Sequence, residues 1–429
     1  MKNLPGTTKQ AARSSNRLIY RIVGVVLLAA AILLAREVFS EAIAVSVVTL
    51  PSAPEQHQTA LDFAPDNPSV QSWIGAFYML SPSQSDPQQA LEHYKEALRL
   101  DPMYYAYWGE LGSAYELSGN LDLAEKSYRN MIVLAPANER SHWLLANCLL
   151  RKGDVQESLS EFKKYLEINP QACDYVYELL SKAQGVTLND IDQFAVPSEG
   201  TGRARFALFA VNHGNPALAV KTWQHLSAKD LESQGHLAPQ IINGLVSAKL
   251  YDEAKAVWSV NAPDQNELSQ LLLNGSFERD LASYHGSFGW QSQQPLSGNI
   301  TLTSREVRTG KSALRIDLTG ENSHDAATLS QVLAPIPAGR YSLTYFAKGS
   351  RFTPATQPLL RIVGENGLPV ATDQPPSGDY DWTKRQIEFT LQSPKQAIVI
   401  FIQTPAITSF DSVGNGQIFL DDFAIEKRN

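Results

Sequence analysis

Asp421 and Asp422, adjacent in the run GQIFLDDFAIE, are the side chains best suited by type to acid–base chemistry. Glycoside hydrolysis needs two carboxyl groups facing each other across the scissile bond. Neighbours on a strand project to opposite faces, so this pair does not meet that requirement. The eight histidines form no ligand cluster, and the chain has no G-x-S-x-G, H-E-x-x-H, phosphate loop or dinucleotide fingerprint. Cys148 and Cys173 lack metal-site spacing and are too few for a disulfide framework, so they read as small buried hydrophobes. No catalytic residue is assigned and the chain reads as a non-enzyme. Its remaining chemistry is recognition, which depends on the elements that present aromatic and polar side chains.

The 429 residues exceed what one core usually organises and imply a multidomain chain. With 43% hydrophobic and 19% charged residues, the composition is ordinary for globular proteins and excludes a mainly disordered or polytopic membrane protein. The formal charge of -8 hides an asymmetry. Lys2, Lys9, Arg13, Arg17, Arg21 and Arg36 precede the first acid, Glu37, and leave 30 basic against 44 acidic residues in the rest. A body with that acidic excess and no basic stripe does not suit nucleic acid.

Between these charges, Ile22 to Ala35 reads IVGVVLLAAAILLA. Two readings are open: a signal-anchor helix, or the apolar region of a cleaved export signal with Ala42-Ile43-Ala44 as its cleavage pattern. The long basic lead and the late Ala-x-Ala favour the anchor. Either way the basic end stays cytoplasmic and the bulk is exported. The expected segments are a cytoplasmic tail over 1–17, a transmembrane anchor over 18–36 and a linker over 37–58.

A period of 34 follows. Ala90, Tyr94 and Pro102 recur as Ala124, Tyr128 and Pro136, and again as Ser158, Phe162 and Pro170. At the same phase Trp108, Leu111, Gly112 and Tyr115 lead the middle unit, with Gly119 and Gly153 at turns. This resembles the tetratricopeptide repeat, W-x-x-L-G-x-x-Y, then Gly, then A-x-x-x-[FY], then Pro. The expected all-α solenoid runs over 59–272. Its clear repeats span about 70–172. Over 173–272 it is degenerate, with Cys173 to Gln184 helical, a turn-rich linker over 185–202 and hairpins at Arg203 to Leu226 and Pro239 to Trp258.

Such arrays present the first helix of each hairpin to an extended or helical peptide. By phase, the groove positions are Gln71, Tyr78, Ser113, Glu116, Arg140, Trp143, Asn147 and Arg151. Trp143 has two readings, an anchor for a protein partner or packing against the next hairpin. Family members that clamp a C-terminal carboxylate use Asn and Lys/Arg over several repeats, whereas Asn147 and Arg151 stand nearly alone here, so that specificity is not carried over.

From Asn274 the pattern alternates, with candidate strands SALRIDL, RYSLTYFAK, PLLRIVG, RQIEFTLQ, AIVIFIQT and GQIFLDDFAIE. The ordered motifs LLNGSFE, Gly289-Trp290, TGKSALRI, IPAGRYSLTYFAKG, YDWTKRQIEFTL and GQIFLDDFAIEK resemble the galactose-binding-like jelly rolls used as carbohydrate-binding modules. An all-β jelly-roll sandwich over 273–429 is therefore expected. The resemblance implies a structural calcium held by Glu278, by backbone carbonyls at Gly310 and Lys311, and by Asp421, with Asp422 as the alternative carboxylate. It also implies a glycan site built on exposed rings, with Tyr284, Phe288 and Tyr380 as candidates. Trp290 and Trp382 occupy the family's packing positions.

Taken together, the sequence describes an extracytoplasmic adaptor tethered to the inner membrane, holding a protein partner in its repeats and a polysaccharide on its jelly roll, in envelope polysaccharide assembly or export. The rival readings are a protein-assembly scaffold whose jelly roll binds no sugar, and the noncatalytic subunit of a polysaccharide-processing complex.

Overall fold

The computed structural model describes residues 7–49, 54–81, 84–198, 200–261, 270–281, 286–293, 299–318, 328–352, 358–392, 396–403 and 416–428. The chain divides into two compact units, Met1–Asn169 and Pro170–Asn429.

The first unit is helical. α1 (Thr7–Thr49) contains an apolar stretch, Val23–Ser46, with mean hydropathy 2.1, long and apolar enough to cross a membrane by length and composition. The expected linker is not one. Where it is described it is helical, as α1 runs on to Thr49 and α2 (Pro54–Phe63) follows, and Ala44, Ala60, Ala64, Val70 and Ile74 share one core. Small apolar residues spaced along both helices give that segment a face to bury, so it packs on the first repeat.

Three hairpins follow: α3 (Pro68–Leu80) with α4 (Pro87–Leu100), α5 (Tyr105–Leu117) with α6 (Leu121–Leu134), and α7 (Glu139–Lys152) with α8 (Val155–Ile168). Their starts are set locally. Asn67, Asp86, Asn120 and Asn138 each accept backbone N–H bonds from the first turn of the helix they precede. The repeated glycine has a packing role. A Cβ on Gly112 would lie 2.4 Å from Tyr128 Cε1, so the tyrosine of the second helix lies directly over the first.

The second unit begins with α9 (Cys173–Ser181), then α10 (Leu188–Asp190) and a π turn over Ile191–Ala195. The linker expected over 185–202 thus contains helical turns, and Ile191 and Ala195 are fully buried. The later hairpins form as expected: α11 (Thr201–Asn212) with α12 (Pro216–Gln224), then, after α13 (Ala228–Gln234), α14 (Ala238–Ser247) with α15 (Tyr251–Asn261).

Among the described residues ten antiparallel strands make the sandwich: β1 (Gln291–Gln293), β2 (Asn299–Thr303), β3 (Ala313–Leu318), β4 (Thr328–Ile336), β5 (Gly339–Phe352), β6 (Leu359–Gly364), β7 (Pro369–Asp373), β8 (Gly378–Leu391), β9 (Gln396–Gln403) and β10 (Gly416–Arg428). One sheet has the order β1-β4-β9-β6-β7 and the other β2-β3-β10-β5-β8. Alternating residues such as Leu314, Ile316, Leu343, Tyr345, Ile398, Ile400 and Ile402 fill the space between them. At one edge Arg385 of β8 donates to Asp373 of β7, clamping the two sheets together, and the Tyr345 hydroxyl donates to the same carboxylate at 2.7 Å. Burial pushes the Asp373 carboxyl upward, but these hydrogen bonds outweigh it and hold it below the usual aspartate range.

The sandwich and the helices before it share a core, which is why the division falls at Pro170 and not near Asn274. Trp223, Trp258, Ile242 and Leu245 pack with Leu273, Phe288, Ala334 and Ala397. Polar contacts reinforce the junction: Ser287 Oγ donates to Asn243 Oδ1 at 2.8 Å, and the buried Gln331 amide donates to Leu273 O at 3.0 Å and accepts from Leu273 N at 3.2 Å.

Candidate functional site

The eight groove positions fall into four groups. Ser113, Glu116 and Arg151 come together: Ser113 Oγ lies 3.3 Å from the Tyr128 hydroxyl, which donates to Glu116 Oε2 at 3.1 Å, and Arg151 approaches the same oxygen at 3.5 Å. The Glu116 side chain is only 10% exposed, and its Oε1 is buried with no hydrogen-bond partner among the described residues. Gln71 and Tyr78 meet around His93 instead. Gln71, itself buried, bonds His93 Nδ1 at 2.8 Å, and Tyr78 stacks on the imidazole with centroids 5.9 Å apart.

Arg140, exposed at the start of α7, lies near a carboxylate that phase counting did not pick out. Glu110 accepts from the Ser72 hydroxyl of α3. Burial raises the Glu110 carboxyl above its usual value, with Ser72 and Arg140 opposing the shift. The signal was present as an acid inside the tryptophan motif, between Trp108 and Leu111. Trp143 and Asn147 turn to their own hairpin: the indole packs edge-on to Phe162 at 5.5 Å and against Tyr165 at 5.2 Å, and Asn147 Nδ2 donates to Trp143 O at 2.8 Å.

The three rings expected to face a glycan do not form a platform among the described residues. Tyr284 lies outside them. Phe288 is 4% exposed and packs on Trp258, with centroids 5.6 Å apart, so its expected place on an open loop is corrected: an aromatic beside the helical hairpins gains more by burial than by exposure. Tyr380 sits in β8 across from Gly349, where a Cβ would be 2.4 Å from its ring, and it packs on the sandwich core. Its hydroxyl has no hydrogen-bond partner among the described residues, and burial pushes it up to about 12. Trp290 is buried, as its packing position implies, and its Nε1 donates to Asn274 O at 3.1 Å.

The four residues expected at calcium do converge, but around N–H donors. Glu278 accepts from Lys311 N at 2.9 Å and from Ser312 N at 3.2 Å. Gly310 has φ +71, and a Cβ there would lie 2.1 Å from Glu278 Oε1. Asp421, fully buried, accepts from Arg308 N at 3.1 Å and Thr309 N at 3.3 Å. Asp422 reaches the same turn, taking the Thr309 hydroxyl at 2.7 Å and the Arg308 guanidinium. A bulge between Asp421 and Ala424, with Asp422 at φ +52, turns both carboxylates to one side and overrides the alternation expected from adjacency. The N–H and O–H donors of this turn thus occupy the carboxylates that the resemblance gives to calcium.

The family model for the tetratricopeptide repeat matches residues 83–139 and 122–172. Those residues are tetratricopeptide repeats. In the middle repeat the motif's tryptophan, Trp108, donates its indole N–H to Pro102 O at 3.0 Å. The third repeat places His142 there. Its Nε2 lies 3.0 Å from Pro136 O, the same step of six residues, and its Nδ1 lies 2.7 Å from Glu161 Oε2, both side chains being 6% exposed. Lys164 meets the other Glu161 oxygen at 2.6 Å.

A search of curated proteins returned no match. Several solved structures are similar. TmCBM61 in complex with beta-1,4-galactotriose is 17% identical, covering 37% of this chain and 99% of its own, with a TM-score of 0.26. The first TPR of Spaghetti (RPAP3), bound to the HSP90 peptide SRMEEVD, is 17% identical over 30% of this chain and 94% of its own, with a TM-score of 0.25. The enzymatically active domain of bacteriophage CBA120 tailspike protein 4 is 14% identical over 38% of this chain and 22% of its own, with a TM-score of 0.27.

Both cysteines are free and buried, and burial pushes each thiol up to about 11.

Proposed function

We propose that the chain is a noncatalytic adaptor, tethered to the inner membrane by α1 with its basic end cytoplasmic, that holds a segment of a protein partner against the first helices of its repeats. The observation that carries this reading is Glu116. Its Oε1 is a buried acceptor without a partner among the described residues, beside Ser113 and Arg151, and a donor from a bound chain would satisfy it. The apolar stretch of α1 supports the tether, and the acidic body supports a role without nucleic acid.

Site-specific photo-crosslinking in cells tests the partner. A probe replacing Ser113 or Arg151 is expected to capture one discrete species that a probe at exposed Glu167 on α8 does not. Equal labelling from all three positions would refute the groove. Protease protection of a tag placed before Lys2 tests the topology.

For the sandwich, glycan contact in envelope polysaccharide assembly or export is one reading. The burial of Phe288 and the inward packing of Tyr380 favour the other, in which the sandwich caps the helical hairpins and serves as a second protein interface. A glycan array probed with the full chain separates them: saturable binding supports the first reading, and its absence from folded protein supports the second.

A further inference from the structure

We propose that the turn from Arg308 to Ser312 is an anion-binding nest filled by the chain's own carboxylates, and that it fastens the two ends of the sandwich without a divalent cation. Successive backbone N–H groups that point to one side create a local positive potential. Here four of them, from Arg308, Thr309, Lys311 and Ser312, point at carboxylate oxygens. Glu278 comes from the opening segment of the domain, and Asp421 and Asp422 come from its last strand, so both ends are joined through one turn.

The rest of the cluster repeats that logic. Asp421 Oδ1 takes a further N–H, from Asp422, at 2.7 Å. Asp422 is neutralised by Arg308, whose guanidinium carbon lies 3.3 Å from the centroid of the Phe346 ring. A calcium ion needs six to eight oxygens at about 2.3–2.6 Å, so this turn would have to swing its N–H groups away and give up these bonds. Among the described residues no three His, Cys, Asp or Glu side chains are placed to hold a metal. Gly310 serves the nest too, because only a residue without a Cβ lets the Glu278 carboxylate approach the turn so closely.

The opening segment is attached to the last strand a second time, again by hydrogen bonds. Phe423 N donates to Gly275 O at 2.8 Å, and Ser312 Oγ donates to Phe277 O at 2.7 Å to tie the turn to the same segment.

Thermal unfolding of the purified full chain, followed in excess EGTA and across a calcium chloride titration, tests the proposal. The expected midpoint is the same in both within about one degree, and calorimetric titration with calcium chloride gives no saturable heat. Gly310→Ala is expected to lower the midpoint by several degrees equally with and without calcium. Should that variant fail to fold, the milder Glu278→Gln, which keeps one acceptor, is expected to lower it by less and again independently of calcium. A saturable rise of several degrees with calcium that vanishes in Glu278→Gln overturns the proposal. A rise that persists in Glu278→Gln overturns it too, because Asp421 and Asp422 remain in that variant to hold the ion.

Discussion

His142 and Glu161 offer the sharpest test of how the third repeat is held. Replacing His142 by Leu removes the donor to a carboxylate that is 6% exposed and leaves the Pro136 carbonyl without its bond. Leaving a buried acceptor without its donor costs about 1–3 kcal/mol, and two acceptors lose their partner here. Lys164, 50% exposed and 2.6 Å from Glu161, remains to hold one carboxylate oxygen, so a total of about 3 kcal/mol is expected. At about 2–4 °C per kcal/mol for a body of this size, the helical transition should fall by about 6–12 °C. Circular dichroism at 222 nm on the full chain reads that shift. His142→Trp restores the motif's own donor to Pro136 O but strands Glu161. His142→Trp with Glu161→Leu therefore returns most of the loss, because neither side then carries an unpaired buried group. A His142→Leu midpoint within a degree of the parent would refute the claim that this pair supports the repeat. So would a double variant no more stable than His142→Trp alone.

Three further outcomes follow from the packing. Gly112→Ala, which drives a Cβ to 2.4 Å from the Tyr128 ring, is expected to cost about 1–3 kcal/mol, and Gly119→Ala, in open space at φ +76, about 1 kcal/mol, both read by urea unfolding. Phe288→Ala removes the ring from its contact with Trp258 and is expected to cost about 3–5 kcal/mol; because that core joins helices to sandwich, far-ultraviolet and tryptophan fluorescence signals of the second unit should shift together. The Asp373 carboxyl is depressed in the folded state, so its contribution is complete above the ordinary aspartate pKa and is lost as pH falls through the lower folded value; Asp373→Asn should flatten the stability profile over that acidic window.

The helical repeats were legible in the sequence because the interactions that define them are short in range. Gly112 and Tyr128 meet within one hairpin, Gly119 and Gly153 take left-handed turns, and the Asx caps act within three residues. The longer strands β3, β5, β6, β8, β9 and β10 were legible for a similar reason, since alternation is a local record of a buried face. The short β1, β2 and β7 carry too few residues to show a period, and β4, TLSQVLAPI, ends its alternation in Ala-Pro. The site was less legible. Phase picked out Ser113, Glu116 and Arg151, which lie together, but it missed Glu110, whose hydrogen-bond partner Ser72 lies on another helix.

By itself, the sequence determined the apolar N-terminal helix, the 34-residue repeat and the two-sheet character of the C-terminal part, each of them encoded by spacing along the chain. Only the tertiary structure decided that 37–49 and 54–58 are helical, that Phe288 is core, and that the sandwich shares its core with α14 and α15. It alone decided that Glu278 and Asp421 face amide hydrogens. The physical reason is the same throughout: periodicity reports which side of an element is buried, whereas the partner that buries it, and the donors it brings, come from segments as far apart as Arg308 and Asp421.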